Sequence, residues 1–118
     1  MAHIETRAIE AITSLQQAGK PDLFAKIYSL FELNTPGLIA SIESGYANGD
    51  TESVRTAAHS LKSSAAYIGA SELSALAKSV ETAAREESLE QVSDEITRIG
   101  ECYAETLTAL ELYLKKAA

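Results

Sequence analysis

The sequence has 118 residues, of which 46% are hydrophobic and 23% charged, the size and composition of one globular domain. Its formal net charge of -7 repels phosphate backbones and anionic lipids, so we expect neither nucleic acid nor a membrane surface as a partner. The single cysteine, Cys102, excludes an internal disulfide and a cysteine-based zinc site, and the lack of a signal peptide or of a membrane-spanning apolar run favours the cytoplasm.

A first short helix is predicted over residues 4–18, because apolar side chains recur there at steps of three and four. These side chains are Ala8, Ile9, Ile12 and Leu15. Gly19 is a natural C-terminal cap for this helix. Pro21 then fits the first turn of a second helix, where its missing N–H costs little.

The second helix contains a proline, Pro36, in the segment NTPG. A proline inside a helix removes one hydrogen bond and crowds the carbonyl four residues back. Phe31 and Leu38 are nevertheless seven residues apart, so the apolar stripe stays in phase across the proline. This favours one kinked, continuous helix over two separate helices. The stripe consists of Phe24, Ile27, Phe31, Leu38 and Ile42.

A third helix follows the segment ANGD, in which Asn48 and Gly49 can adopt the left-handed conformation that ends a helix. Asp50 or Thr51 can cap the start of the new helix. Its apolar positions alternate at steps of four and three, which predicts one buried seam. The seam consists of Val54, Ala58, Leu61, Ala65 and Ile68, and Gly69 ends the helix.

Two more helices complete the pattern. Ser71 can cap a fourth helix, and Ser88 with Gln91 three residues later forms the capping-box pattern of a fifth. Their predicted buried positions are Leu73, Leu76, Ala77, Val80 and Ala84, then Val92, Ile96, Ile99, Tyr103, Leu107, Leu110 and Leu114. Short connections make neighbouring helices antiparallel. We therefore predict a single all-α domain over residues 1–118, an up-down-up-down four-helix bundle of about residues 20–116 behind a short additional N-terminal helix.

His59 lies one residue past Ala58, so it is about 100° around the third helix from the buried seam. Its neighbours on the helix surface are Arg55, Thr56, Lys62 and Ser63. A lone histidine on a helix surface often has no specific role. Here the small residues around it leave room for another protein to approach, and Lys62 stands one turn away.

The chemistry open to this histidine is narrow. His3 and Cys102 are the only other strong metal ligands, and neither has helical spacing to His59. The serines lie on helices without an oxyanion hole, and no glycine-rich loop could hold a nucleotide. The remaining role is that of a nucleophile, since a neutral imidazole has one free ring nitrogen. It could accept a phosphoryl group, whose charge of about -2 Lys62 would partly balance.

The segment AHSLKSSAAYIGA resembles the signature of histidine phosphotransfer (HPt) domains, a histidine followed by lysine at the third position and glycine at the tenth. His59, Lys62 and Gly69 match these positions. TPGLIASI and NGD upstream, and LAKSVE downstream, also fit. The resemblance covers roughly residues 20–114 and implies a helical bundle.

The resemblance implies a phosphoryl carrier that moves the group between the aspartates of receiver domains in response regulators or hybrid kinases, without an ATP site or kinase activity. It implies no cofactor, because the magnesium ion belongs to the partner receiver, and we expect a monomer. His59 would be the phosphorylated residue, Lys62 would orient the phosphoryl group, and Gly69 would let the next helix pack closely. Ser63, where the family often has glycine, and Arg55 would support the site.

Glu81 is a departure from the family pattern, which often has a glutamine about 22 positions after the histidine, bonded to its ring. A glutamate there could accept a hydrogen bond from the ring N–H and make the other nitrogen a better nucleophile, or it could repel the phosphoryl group. It could also be one more solvated acid of a helix surface.

Two rival functions are the phosphoacceptor domain of a sensor kinase and an unphosphorylated helical adaptor for receiver or kinase domains. The first usually has an acid directly after the histidine and a proline about five later, where this chain has Ser60 and Ser64. His59 and Lys62 together argue against the second. We further predict a receiver-binding patch near His59, formed by exposed apolar residues from Ile9, Ile12, Phe24, Ile27 and Tyr28. The alternative, favoured for Phe24 and Ile27, is that these side chains simply close the bundle.

Overall fold

The structure, a computed structural model, describes residues 4–17 and 23–117, except for the side chains of residues 15–17 and 116–117. The elements in these ranges are α1 (Thr6–Gln17), α2 (Leu23–Asn48), α3 (Thr51–Tyr67), α4 (Ser71–Arg85), a 3₁₀-helix (Leu89–Val92) and α5 (Ser93–Ala117). The all-α prediction is therefore confirmed. The predicted cap at Gly19, the predicted helix start at Pro21, and His3 lie outside the described residues.

The four long helices, α2 to α5, pack side by side. Side-chain contacts join His59 to Glu81, and Lys62 to Ser74, so residue numbers rise along α3 while they fall along α4. Tyr28 contacts Glu111 while Phe31 contacts Tyr103, so α2 and α5 are also antiparallel. α1 packs against α2 outside this group.

The core runs along the facing sides of these helices. All five predicted seam residues of α3 are fully buried, and the largest fully buried side chains elsewhere include Phe24, Ile42, Leu73, Ile99 and Leu110. Each valine, leucine, isoleucine or phenylalanine among them contributes roughly 1.5–3 kcal/mol when it leaves water. Several predicted core residues are only half-buried, namely Ala8, Ile27, Leu38, Leu76, Tyr103, Leu107 and Leu114.

Pro36 lies inside α2, which continues through it as one helix, as the sequence predicted. A proline cannot donate to the carbonyl four residues back, which here belongs to Glu32. The Tyr103 hydroxyl of α5 donates to this carbonyl at 3.2 Å. The hydrogen bond that the proline removes is thus replaced by one that joins α2 to α5.

One predicted helix start is confirmed and two are wrong. Asp50 caps α3 and accepts a hydrogen bond from the Ser53 backbone N–H at 3.1 Å. The cap position of α4 is Ala70 and not Ser71, whose own N–H donates to the Gly69 carbonyl. Ser88 forms no capping box, because its hydroxyl turns back to the Ala83 carbonyl at the end of α4, and a 3₁₀-turn precedes α5.

Candidate functional site

His59 lies on the outer face of α3, where its side chain is 58% exposed. The seam residues on the opposite face are fully buried, so the helix holds the imidazole outward as predicted. At about 100° per residue, Lys62 lies on one side of His59, toward α4, and Ser60 and Tyr67 lie on the other, toward α2. The histidine therefore separates a charged edge of α3 from an edge that faces an apolar groove.

Glu81 holds one nitrogen of the His59 ring. The ring Nδ1 lies 2.8 Å from Glu81 Oε2, and the glutamate side chain is only 3% exposed. Glu81 is buried because it follows Ala77 by four residues and Val80 by one, on the side of α4 that packs against α3. The interpretation of Glu81 as a solvated surface acid is wrong.

The same carboxylate pairs with two cations, one from α3 and one from α4. Lys62 Nζ lies 2.7 Å from Oε1 and Arg85 Nη2 lies 3.0 Å from Oε2. The hydrogen bond from Lys62 is the main cause that lowers the pKa of Glu81 below its ordinary range, and it outweighs burial, which acts in the other direction. A buried carboxylate is tolerated here because both of its oxygens have donors.

The ionised carboxylate fixes the chemistry of the ring. A carboxylate without a proton can only accept, so Nδ1 must carry the hydrogen that is shared with Glu81. In the neutral imidazole this leaves Nε2 with its lone pair, at the far edge of the ring from Glu81. Nε2 is thus the available nucleophile, and the negative charge of Glu81 lies across the ring from it.

The other predicted site residues are less closely involved. Arg55 pairs with Glu52 on its own helix, where its Nε lies 3.2 Å from Oε2, rather than with His59. Ser63 is exposed one turn after His59. Among the described contacts, these two residues are therefore not part of the cluster around Glu81.

Gly69 has a left-handed backbone, with φ at 88°, and ends α3 as predicted. The close approach that it permits involves a different partner from the one predicted. A Cβ at this position would lie 2.8 Å from the Glu5 carbonyl oxygen and 3.2 Å from the Ala8 side chain. The Glu5 N–H also donates to the Gly69 carbonyl at 2.6 Å. Gly69 therefore brings Glu5 and the first turn of α1, rather than the next helix, against the end of α3.

The predicted apolar docking patch is wrong for Ile9, Ile12 and Tyr28, while Phe24 closes the bundle, as the favoured alternative predicted for it. Ile9, Ile12, Phe24 and Tyr28 are each at most 5% exposed. They are buried because α1 lies on α2 with its apolar face inward. Ile27 alone is partly accessible.

An apolar groove instead lies between α2 and α3, on the other side of His59 from Glu81. It has a volume of about 320 Å³ and includes Ile27, Leu30, Leu38, Ser60, Ser64 and Tyr67 in its lining. Leu30 and Tyr67 are 58% and 60% exposed. Sequence reasoning missed this groove, because Leu30 lies off the apolar stripe of α2 and Tyr67 off the seam of α3.

Sequence reasoning also missed Arg85. The segment REES indicates by itself only the end of a helix, and Arg85 is indeed the last residue of α4. Its spacing of four residues from Glu81 was the available signal, because residues four apart on a helix are neighbours. Ser74, whose hydroxyl donates to the Lys62 carbonyl at 2.9 Å, fixes α4 against α3 beside this cluster.

Two properties of the described residues bear on other functions. They contain no group of three or more histidine, cysteine or acidic side chains arranged to hold a metal ion. Within the same ranges, no helix has both the length and the apolar character needed to cross a membrane.

Comparisons with known proteins agree with the geometry. The family model described as Hpt domain matches residues 26–113. The crystal structure of histidine-containing phosphotransfer protein B (HptB) from Pseudomonas aeruginosa PAO1 has the same fold, with a TM-score of 0.83 at 22% sequence identity, over 97% of this chain and 96% of that one. A comparison with curated proteins gave no match.

Proposed function

Because the chain belongs to the Hpt domain family, we propose that His59 accepts a phosphoryl group from the aspartate of one receiver domain and passes it to the aspartate of another. The observation that carries this proposal is the exposed imidazole whose Nδ1 is held by the buried Glu81 at 2.8 Å. This contact leaves Nε2 as the free nucleophile and points it outward.

The transfer needs only the imidazole and an activated phosphoryl donor. The Nε2 lone pair attacks the phosphorus of the receiver's aspartyl phosphate, an N–P bond forms, and the P–O bond to the aspartate breaks. The electron pair of that bond leaves with the aspartate carboxylate. The ring gains positive charge as the N–P bond forms, and Glu81 stabilises it through the Nδ1 proton. Delivery to the second receiver reverses these steps.

This mechanism requires no nucleotide on the chain, since the acyl phosphate already carries the group in activated form. We propose that the chain brings no cofactor of its own and that the magnesium ion of the reaction belongs to the receiver. Lys62 is the cation placed to balance the charge that the phosphoryl group adds, because it lies three residues after His59 on the same helix.

The receiver would dock on the groove between α2 and α3. Its aspartate must reach Nε2, so the partner has to cover the surface around His59. The lining of the apolar groove includes Ser60, the residue next to His59. Leu30 and Tyr67, both more than half exposed, would supply apolar area to that interface. Small side chains on the exposed arc of α3, Ser60 and Ser63 among them, leave the approach to the ring open.

The test is transfer of label from a receiver domain that carries radioactive phosphate on its aspartate. We expect acid-labile, base-stable label on the chain, the behaviour of a phosphorus–nitrogen bond, and none on His59→Gln. His3→Gln is the matched control, because it removes the other of the two histidines and should keep full label. Full labelling of His59→Gln would refute the proposal. Receiver binding without any transfer would instead support the adaptor.

A further inference from the structure

The two cations on Glu81 differ in what else they can reach. Lys62 is on α3 beside His59, and its Nζ bonds Glu81 Oε1 at 2.7 Å. Arg85 is on α4, four residues after Glu81, and its Nη2 bonds Oε2 at 3.0 Å. If Lys62 turns toward an anion on His59, Oε1 loses this donor while Oε2 keeps Arg85.

We propose that Lys62 exchanges the Glu81 carboxylate for the phosphoryl group when His59 is phosphorylated, and that Arg85 is a positioning residue that permits this exchange by keeping the buried carboxylate paired. The proposal rests on the function proposed above. It assigns Arg85 a role that acts through Glu81 and Lys62, without contact with the phosphoryl group.

The exchange follows from where the charges lie. Before the reaction the cluster holds one carboxylate and two cations, and the phosphoryl group then adds about -2 at the other edge of the ring. Lys62 is the cation on the helix of His59, three residues after it, and it has a flexible stem and a side chain 31% exposed. Its departure would leave a carboxylate that is 3% exposed without a cation, an arrangement that is strongly unfavourable, unless a second cation stays.

Arg85 is suited to stay behind. Its side chain is 64% exposed, so it keeps most of its hydration while it touches the carboxylate. A guanidinium has five N–H donors in a planar fork, which lets it face both oxygens of a carboxylate after Lys62 has left. The covalent step is unchanged by this exchange, because Lys62 contributes charge and transfers no proton.

The test is a double-mutant cycle on the rate of phosphohistidine formation from phosphoramidate. This small donor phosphorylates an imidazole without a partner protein: its N–P bond breaks, ammonia leaves, and the Nε2–P bond forms. The four chains are the wild type, Arg85→Gln, Glu81→Gln and the double variant. With Glu81 present, we expect Arg85→Gln to slow the reaction about tenfold, because Lys62 then stays on the carboxylate.

In the Glu81→Gln background there is no buried charge to keep paired, so Arg85→Gln should change the rate by less than about twofold. Arg85→Lys in the wild-type background should restore much of the rate, since it restores a cation. Equal slowing by Arg85→Gln in both backgrounds would mean that Arg85 acts on the phosphoryl group directly, and would overturn the proposal. No slowing in either background would also overturn it.

The controls separate this proposal from folding and from the proposed function. Lys115→Gln, which removes an exposed cation of α5, should leave the rate unchanged, and all variants should give the wild-type circular dichroism spectrum. If phosphoramidate labels His59 but no receiver does, the proposed relay function fails while the cycle still measures the exchange. If the receiver labels His59 and the cycle shows no dependence on Glu81, the exchange fails alone.

Discussion

Tyr103 of α5 donates its hydroxyl to the Glu32 carbonyl of α2 at 3.2 Å, and this is the carbonyl that Pro36 leaves without a helical partner. The proline therefore does more than interrupt one helical bond, because it opens an acceptor for a neighbouring helix. The ring of Tyr103 also packs against Phe31, with centroids 5.8 Å apart. One tyrosine thus ties α5 to both the backbone and a side chain of the α2 turn that precedes the proline.

We expect Tyr103→Phe to lower the free energy of unfolding by about 1 kcal/mol, since it removes this hydrogen bond and keeps the ring. Urea denaturation measures the loss. In a Pro36→Ala background the helix can supply its own N–H to Glu32, so the same change should cost clearly less. Equal costs in the two backgrounds would show that the hydroxyl does not replace the missing helical bond.

The sequence predicted the helices better than the site, for a physical reason. Apolar spacing within one helix identifies its buried face, so the seam of α3 and the continuity of α2 through Pro36 could both be predicted. The spacing of Glu81 from Ala77 and Val80 places it beside the buried face of α4, but its burial also depends on how closely α3 covers that side, which periodicity within α4 does not report. The covering of Ile12 by packing between α1 and α2 is likewise a relation between helices. The predicted docking patch failed there.

Because of Glu81, the stability of the fold should decrease at acid pH. Its pKa is lowered in the folded chain, mainly by Lys62, so the folded state holds the ionised form more firmly than the unfolded state does. The resulting stability is complete above the ordinary pKa of 4.5 and is lost as the pH falls through the lowered value. Glu81→Gln should lose about 1–2 kcal/mol at neutral pH.

The difference between the wild type and Glu81→Gln should then shrink as the pH falls below 4.5. Urea midpoints measured across this acid range would show it. A constant difference down to the lowest pH at which both chains fold would contradict the assignment, because it would mean that the charge of Glu81 contributes nothing.

Gly69 should not tolerate a side chain. Its φ of 88° disfavours any other residue, and a Cβ would meet the Glu5 oxygen at 2.8 Å. We expect Gly69→Ala to cost about 2 kcal/mol or more in urea denaturation and to raise hydrogen exchange at the Glu5 amide, which bonds Gly69.

Gly100→Ala is the matched control for this change. Gly100 lies within α5, and nothing lies within 4 Å of the Cβ that it would gain. There alanine should stabilise the chain by about 0.5–1 kcal/mol, through its better helix propensity. If Gly69→Ala and Gly100→Ala changed the free energy of unfolding in the same direction, the special geometry of Gly69 would carry no cost.

Tyr28 should make the chain less stable in alkali. Burial, with help from the charges of Glu111 and Glu32, raises the pKa of Tyr28 from 10.0 to about 12. The folded state therefore keeps the phenol proton that the unfolded state loses, and stability falls as the pH rises from 10 to 12. The loss contributed by this residue should reach up to about 3 kcal/mol.

Tyr28→Phe should reduce that alkaline loss, because phenylalanine has no proton to give up. Thermal unfolding followed by circular dichroism between pH 9 and about 11 measures the effect. Identical slopes for the wild type and Tyr28→Phe would show that burial of this phenol does not matter.

The groove between α2 and α3 leads to a prediction about receiver binding. Leu30 is 58% exposed and lines the groove, while Leu112 of α5 is exposed to the same fraction and does not line it. A charge at position 30 would have to be desolvated beneath a docked receiver, so Leu30→Glu should weaken receiver binding about tenfold or more. Leu112→Glu introduces the same charge on an equally exposed site and should leave the affinity unchanged.

Ile12→Glu tests the correction to the predicted docking patch. Ile12 is 3% exposed, so a glutamate there would be buried and should destabilise the fold rather than act on the interface alone.

Isothermal titration with a receiver domain measures the affinities of Leu30→Glu and Leu112→Glu. Phosphoramidate labelling of His59 should stay at the wild-type rate in Leu30→Glu, because that donor needs no docking surface. Equal affinities for Leu30→Glu and Leu112→Glu would place the receiver on another face of the chain, away from the groove between α2 and α3.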